Sequence, residues 1–284
     1  MTQPRDADKE AGTICKGPPG FVTFRSVMAH GRRIVWRARQ HRKGLLRDPR
    51  EAATLPWHSP TYNRCMAAFF AMGSLLFMLG ASLSLIPTAL SATQIAIVFF
   101  AGSIPFTIGG FLQNLQAANT GDFSPSAPPA APRMQLIGWR PHNLGWLSTF
   151  TQFCGTIAFN FNTFDAIDAR SAWYVQDITI WVPGMIGSVL FLVSAYLAFM
   201  ETSHGLWSWK PAALDWWIVT VNLLGCIFFM TAALTSFVPA TQVPHWLDDV
   251  VNIHLWLGAC CFFIAALLTI RESRQIETLD TISV

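Results

Sequence analysis

The sequence predicts an all-α membrane protein of six transmembrane helices, set as three related antiparallel hairpins, with a basic amphipathic helix before them. Three observations carry this reading. The first is composition: of 284 residues, 52% are apolar and only 12% charged, where a soluble domain is about 25% charged. The second is distribution: the apolar residues collect in six runs, 66–86, 94–115, 145–164, 178–200, 216–238 and 250–270. Each is near the ~20 residues that cross a ~30 Å hydrocarbon layer as a helix. Lipid offers no partner to an open backbone group, so such runs must satisfy their own peptide bonds as helices. The third is a five-residue pattern that returns in every run.

That pattern is Gly, a small residue, two others, then Phe. It reads GSLLF at Gly73–Phe77, GSIPF at Gly102–Phe106, GTIAF at Gly155–Phe159, GSVLF at Gly187–Phe191, GCIFF at Gly225–Phe229 and GACCF at Gly258–Phe262. Seven residues after each Gly stand Gly80, Gly109, Asn162, Ser194, Ala232 and Ala265, five of the six small. Positions 0, +4 and +7 share one helix stripe. Helices in lipid gain nothing hydrophobic by pairing, so they associate by close packing, which small residues permit. The stripe therefore predicts a packing seam, with the ring of Phe as plug between notches. A Gly-lined pore or hinge is the alternative.

The remaining elements follow in chain order. Residues 1–63 form a cytoplasmic segment, of which 1–19 read as disordered. Residues 21–47, FVTFRSVMAHGRRIVWRARQHRKGLLR, read as a basic amphipathic helix. Phe24, Val27, Met28, Ile34, Val35, Ala38 and Leu45 make its apolar side, and Arg32, Arg33, Arg37 and Arg39 are the cations expected at anionic lipid headgroups. The same charges also fit a plain topology anchor. Nucleic acid is not an expected partner, because the segment abuts a span and carries no nucleic-acid fold motif. Hairpin 1 covers 64–116, a Pro/Ala-rich linker 117–135, hairpin 2 136–203, hairpin 3 204–274, and a cytoplasmic tail 275–284. The first 60 residues hold no short apolar core with a cleavage site, so the first span is expected to act as its own insertion signal.

Charge sets the orientation. With the N-terminus inside, 18 of the 19 Lys and Arg fall on the cytoplasmic side, and only Arg170 falls outside. Such a bias places both termini in the cytoplasm.

The first hairpin, FFAMGSLLFMLGASLSLIP…IVFFAGSIPFTIGGFLQNLQ, resembles the YrhK-like two-helix membrane domain. The later QFCGTIAFNFNTF…WVPGMIGSVLFLVSAYLAF…WWIVTVNLLGCIFFMTAALTSFVP is similar to bacterial membrane proteins that carry that domain. Together the resemblance spans about residues 64–270. It implies a bacterial inner-membrane hairpin protein and carries over no catalytic residue. The long basic N-terminal segment departs from it.

Polar residues inside a span are functional candidates by default. Here they are Gln152, Asn160, Asn162, Asn222 and His254. Either they bond one helix to another or they line a polar vestibule for a small solute. His245, Asp248 and His254 lack the paired spacing of a metal site. His142 and His254 sit at opposite ends of their spans, which disfavours a haem between them. No nucleotide loop and no hydrolase or metalloprotease signature occurs, so no cofactor, metal or catalytic residue is expected. Six cysteines without C-x-x-C spacing read as packing residues. The leading expectation is a structural, interaction or accessory membrane subunit, bound to lipid and able to pair with itself or a membrane partner. A small-solute transporter or channel is the second.

Overall fold

The structure, a computed structural model, describes residues 13–29, 32–45, 55–121, 134–169, 172–237, 244 and 246–282. Much of the linker 117–135 and of the first 19 residues therefore lies outside the described residues.

The N-terminal segment corrects the sequence reading. In place of one amphipathic helix over 21–47, the chain forms a three-stranded antiparallel meander: β1 (Ile14–Lys16), β2 (Phe24–Ala29) and β3 (Arg32–Arg37). Among the described residues of 21–47, the helical part is α1 (Ala38–Arg42). The physical reason is local. Phe24, Val27, Ile34, Val35 and Trp36 are β-branched or aromatic, and a helix here would carry Gly31 in its interior at about 1 kcal/mol. Strand pairing also sets cations over rings. Arg25 lies directly opposite Trp36, and Lys16 opposite Phe24; each cation stands 6.0 Å from its ring centroid. Gly44, just past α1, takes a left-handed φ of +66°. That conformation favours glycine, and the Gly44 N–H closes the turn on the His41 carbonyl.

Six long helices follow. They are α2 (Pro60–Leu85), α3 (Ala92–Ala118), α4 (Leu144–Asp165), α6 (Val182–Ser203), α7 (Leu214–Thr235) and α8 (Trp246–Ile282), with the short α5 (Trp173–Gln176) before α6. Their starts are written in the sequence. The Ser59 side chain accepts from the Tyr62 N–H with Pro60 in the first turn. Ser91 and Gln94 make a reciprocal capping box, and Asn143 caps Trp146. Pro183 has no N–H to give the helical ladder, and a π-turn, Asp177–Trp181, lies just before it. Thus Trp173–Ser203 runs as one helical rod.

Among the described residues, five helices are long and apolar enough to cross a membrane: Pro60–Leu85, Ala92–Ala118, Trp173–Ser203, Leu214–Thr235 and Trp246–Gln275. The protein is thus mostly helical and fits a multi-pass membrane protein. α4 is as long as α7 but too polar to join them. Its Asn160 donates to Thr107 Oγ1 at 2.9 Å, and its Thr163 hydroxyl bonds that of Ser103 at 3.2 Å, both on α3. Large apolar side chains such as Leu75, Ile104, Ile157, Val189, Ile227 and Leu267 are exposed around the outside. A belt of that kind is stable in hydrocarbon and unstable in water.

Each long helix packs on the next, and α8 packs back on α2, so the six close into a ring. Close approaches between helices occur where the repeated glycines stand. A Cβ on Gly73 would lie 2.6 Å from the Phe106 ring and 2.8 Å from the Gly102 carbonyl; one on Gly102 would lie 3.1 Å from Phe77. The exchange recurs between α4 and α6, where Gly155 faces Phe191 at 2.6 Å and Gly187 faces Phe159 at 2.8 Å. It recurs again between α7 and α8, where Gly225 faces Phe262 and Gly258 faces Phe229. In each pair the Gly of one helix receives the Phe of the other.

The six phenylalanines then meet on the ring axis. Phe77, Phe106, Phe159, Phe191, Phe229 and Phe262 form one buried cluster. Ring centroids of touching pairs lie 4.9–6.1 Å apart. Such spacing is in the favourable range for aromatic pairs. Only about 10 Å³ of space remains among them.

Because backbone faces backbone at Gly73 and Gly225, even one methyl group there forces helices apart. We expect Gly73→Ala and Gly225→Ala each to destabilise the protein by about 1–3 kcal/mol in thermal melts in detergent. Gly205→Ala, where nothing stands within 4 Å, should leave the melt unchanged. Equal melting of all three would refute the close-packing role.

Candidate functional site

One end of the ring is shut by the N-terminal segment. α1 follows directly on β3, so Arg39, Arg42 and Lys43 are delivered together into the helix ends. All three are buried. Arg39 grips Glu272 of α8 through both guanidinium amines, with Nη2 to Oε2 at 3.1 Å. Lys43 Nζ reaches the same carboxylate at 2.9 Å. Arg42 Nη2 donates to Glu201 of α6 at 2.6 Å. Glu201 is 1% exposed, and Arg42 supplies its countercharge. Removing one partner of a buried pair costs about 3–5 kcal/mol.

Further bonds fasten the same cap. Asn63 donates to the Lys43 carbonyl at 2.9 Å, and Gln116 donates to Asn63 Oδ1 at 2.9 Å and to the Trp57 carbonyl at 2.6 Å. His41 Nε2 donates to the Gly121 carbonyl at 3.0 Å. At the end of α6, His204 lies 3.1 Å from the Thr23 hydroxyl and its ring 5.4 Å from that of Phe24. Burial, then Lys210 and Arg37, pull the His204 imidazole down to about 4, against the weaker pull of Asp215 and Glu201. Burial, then Arg39, lowers Lys43 to about 8, with Glu272 opposing.

Beneath this cap is a cavity of about 90 Å³. All six long helices line it: Met66 and Ala67 from α2, Gln113 from α3, Gln152 from α4, Glu201 from α6, Asn222 from α7 and Thr269 from α8, with Phe106 and Phe262 at its floor. Arg39 and Arg42 of α1 and Lys43 just after it line it as well. A second cavity of about 180 Å³ lies on the other side of the phenylalanine layer, bordered by Phe159 and Phe229 with Asn162, Gln176, Trp181 and Ser236.

The polar residues singled out in the sequence are thus divided. Gln152 and Asn222 come together in the capped cavity. Asn162 borders the other one, donating to the Ile180 carbonyl at 2.7 Å. Asn160 joins α4 to α3 and lines neither cavity. His254 donates through Nδ1 to Val250 on its own helix at 2.7 Å and packs against Phe228. Of the four arginines expected at lipid, Arg33 and Arg37 are exposed, and Arg32 stands at the start of β3. Arg39 is not at a surface, because it is consumed by Glu272.

The residues that sequence reasoning missed are Arg42, Lys43, Gln113, Glu201 and Glu272. A signal existed. Glu201 and Glu272 are acidic residues at the ends of apolar runs, where a buried carboxylate demands a cation. The partners lie 159 and 233 residues away, too far for spacing to reveal. Among the described residues no group of His, Cys, Asp and Glu stands ready to hold a metal ion. No family model, curated protein or solved structure matches the chain.

His204 makes the cap acid-sensitive, and the sign follows from linkage. Its folded pKa of about 4 lies below the ordinary 6.5. The neutral ring therefore contributes stability that is complete above 6.5 and is lost as pH falls towards 4. Proteolytic release of the N-terminal segment should rise across that window, and His204→Gln should flatten the rise. A pH-independent release in the native chain would contradict this.

Proposed function

We propose that the chain is a six-span protein of a bacterial inner membrane, with both termini cytoplasmic, that serves as a gated channel or carrier for small solutes. The observation that carries this reading is the axial arrangement. One cavity touches all six helices, another lies beyond a single layer of phenylalanine, and a charged cap closes the first. Hydrophobic constrictions of this kind gate by excluding water. The geometry thereby favours the conducting reading over the accessory-subunit reading that composition and repeats alone favour.

Chain direction supports reading six spans over five. α2 leaves the capped side, α3 returns to it, and α6 also ends there, beside Glu201. Between α3 and α6 the chain must cross once more, and α4 is the long helix available to do it. Several of its polar groups are spent on α3 and α6: Asn160 and Thr163 bond to α3, and Ser148 exchanges hydroxyl-to-carbonyl bonds with Ser194 of α6 at 2.9 and 2.7 Å. The 18-to-1 distribution of Lys and Arg supports a cytoplasmic capped side. The three reciprocal Gly–Phe exchanges support three related hairpins, α2–α3, α4–α6 and α7–α8. The YrhK-like resemblance rests on the motifs of those hairpins and belongs to this proposal.

A second reading has its own observation. Ile14, Met28 and Val35 are exposed on the small sheet and Val22 just before β2, beside exposed Arg33 and Arg37. Apolar and cationic groups side by side suit an anionic lipid surface or a membrane partner, including another copy of the chain. On that reading the protein is an accessory subunit.

Proteoliposomes separate the two. The native chain should pass small ions slowly. Phe106→Ala with Phe262→Ala should open the phenylalanine layer and raise flux at least about tenfold, as expected when a dewetted constriction fills with water. Folded, reconstituted protein that leaves vesicles tight in both forms would overturn the conducting reading.

A further inference from the structure

We infer that the capped cavity is a binding site for one small inorganic or carboxylate anion, held by Arg42, Gln113, Gln152 and Asn222. The inference names the solute class of the proposed conducting pathway and rests on that reading for its role in transport, though not for binding itself.

Arg42 carries the case. It is 5% exposed, and only Nη2 is engaged, by Glu201. Its Nε and Nη1 are buried without a hydrogen-bond partner. A guanidinium is always charged and has five N–H donors. Leaving two of its nitrogens dry and unpaired is costly, so such a group is a place to look for a missing acceptor. Arg42 lines the cavity, and so do three carboxamides, Gln113, Gln152 and Asn222. Among the described residues none of the three makes a side-chain hydrogen bond, and each has an NH₂ to offer.

Charge selects the sign of the ligand. Among the described residues, Arg39, Arg42 and Lys43 pair with two carboxylates, Glu201 and Glu272, an excess of one cation over its paired anions; Asp215 acts on Arg39 without pairing to it. Half-buried Lys210 and Asp215 lie nearby and offset each other. A cation would meet this excess directly, whereas an anion would cancel it and satisfy Arg42. The cavity of about 90 Å³ has room for several waters or one small anion. Its remaining walls, Met66, Ala67, Ala265 and Ala266 with Phe106 and Phe262, would exclude a bulky or strongly hydrated one. Gln152 and Asn222 each stand three residues before the repeated glycine of their helix, so the site grows from equivalent positions of the repeat.

The test uses the full chain in detergent, with sodium nitrate or chloride against sodium gluconate at equal ionic strength. Nitrate or chloride should raise the melting temperature saturably, and gluconate should not. Gln152→Leu with Asn222→Leu disturbs no ion pair and should weaken the apparent affinity about tenfold or more, with little change in the melt without anion. Arg42→Gln with Glu201→Gln removes the pair together, so that no buried charge is stranded, and should abolish the saturable shift. Equal stabilisation by gluconate, or undiminished stabilisation of both variants, would overturn the site. Binding in detergent without flux in vesicles would keep the site and sink the conducting reading alone.

Discussion

The structure depends on one exchange: a glycine on each long helix receives the phenylalanine of its neighbour. In lipid, helices gain little by hiding apolar surface from one another, because the solvent is equally apolar. Association has to come from dispersion across well-matched surfaces. Gly73 and Gly102 bring two backbones so close that a methyl group would collide with a carbonyl. The same approach recurs between Gly225 and Gly258. Each notch also fixes where the facing ring can lie, and the six rings converge on one axial level. Closure of the ring and the dryness of its centre are thus two results of one pattern.

That central layer dictates where polarity can go. With the axis filled by Phe77, Phe106, Phe159, Phe191, Phe229 and Phe262, polar side chains collect above and below it. At the capped end, Glu201 and Glu272 would be intolerable without cations, and α1 supplies them. The N-terminal sheet is therefore tied to the membrane helices by buried charge pairs, and not only by loose attraction to headgroups. Buried pairs are weak contributors to net stability but strict about register, which suits a cap that must seat in one position. The histidine at the end of α6 adds a contact in surroundings that favour its neutral ring.

Much of this was legible in the sequence, and the parts that were not have physical causes. Gly at 0 and Phe at +4 is a helical period kept from Gly73 to Phe262 in all six helices, with a small residue at +7 in five of them. The N-terminal segment was misread because Phe24, Val27, Met28, Ile34 and Val35 satisfy a loose 3.6-residue spacing while also suiting paired strands. Gly31 and the density of β-branched and aromatic residues were the better guide. Arg39 read as a surface charge and Arg42 was missed, because nothing local reveals a carboxylate that folding brings from α6 or α8. Gln152 and Asn222 stood out as polar, yet only the closing of the ring makes them neighbours.

The most direct test of the account is a double-mutant cycle between Phe106 on α3 and Phe262 on α8, helices that meet only if the six-membered ring closes. Phe106→Leu, Phe262→Leu and the pair would be melted in detergent as intact chains. The account predicts a coupling of about 0.5–1.5 kcal/mol, as for aromatic rings in contact. Strict additivity of the two substitutions would contradict the shared phenylalanine layer and, with it, the ring.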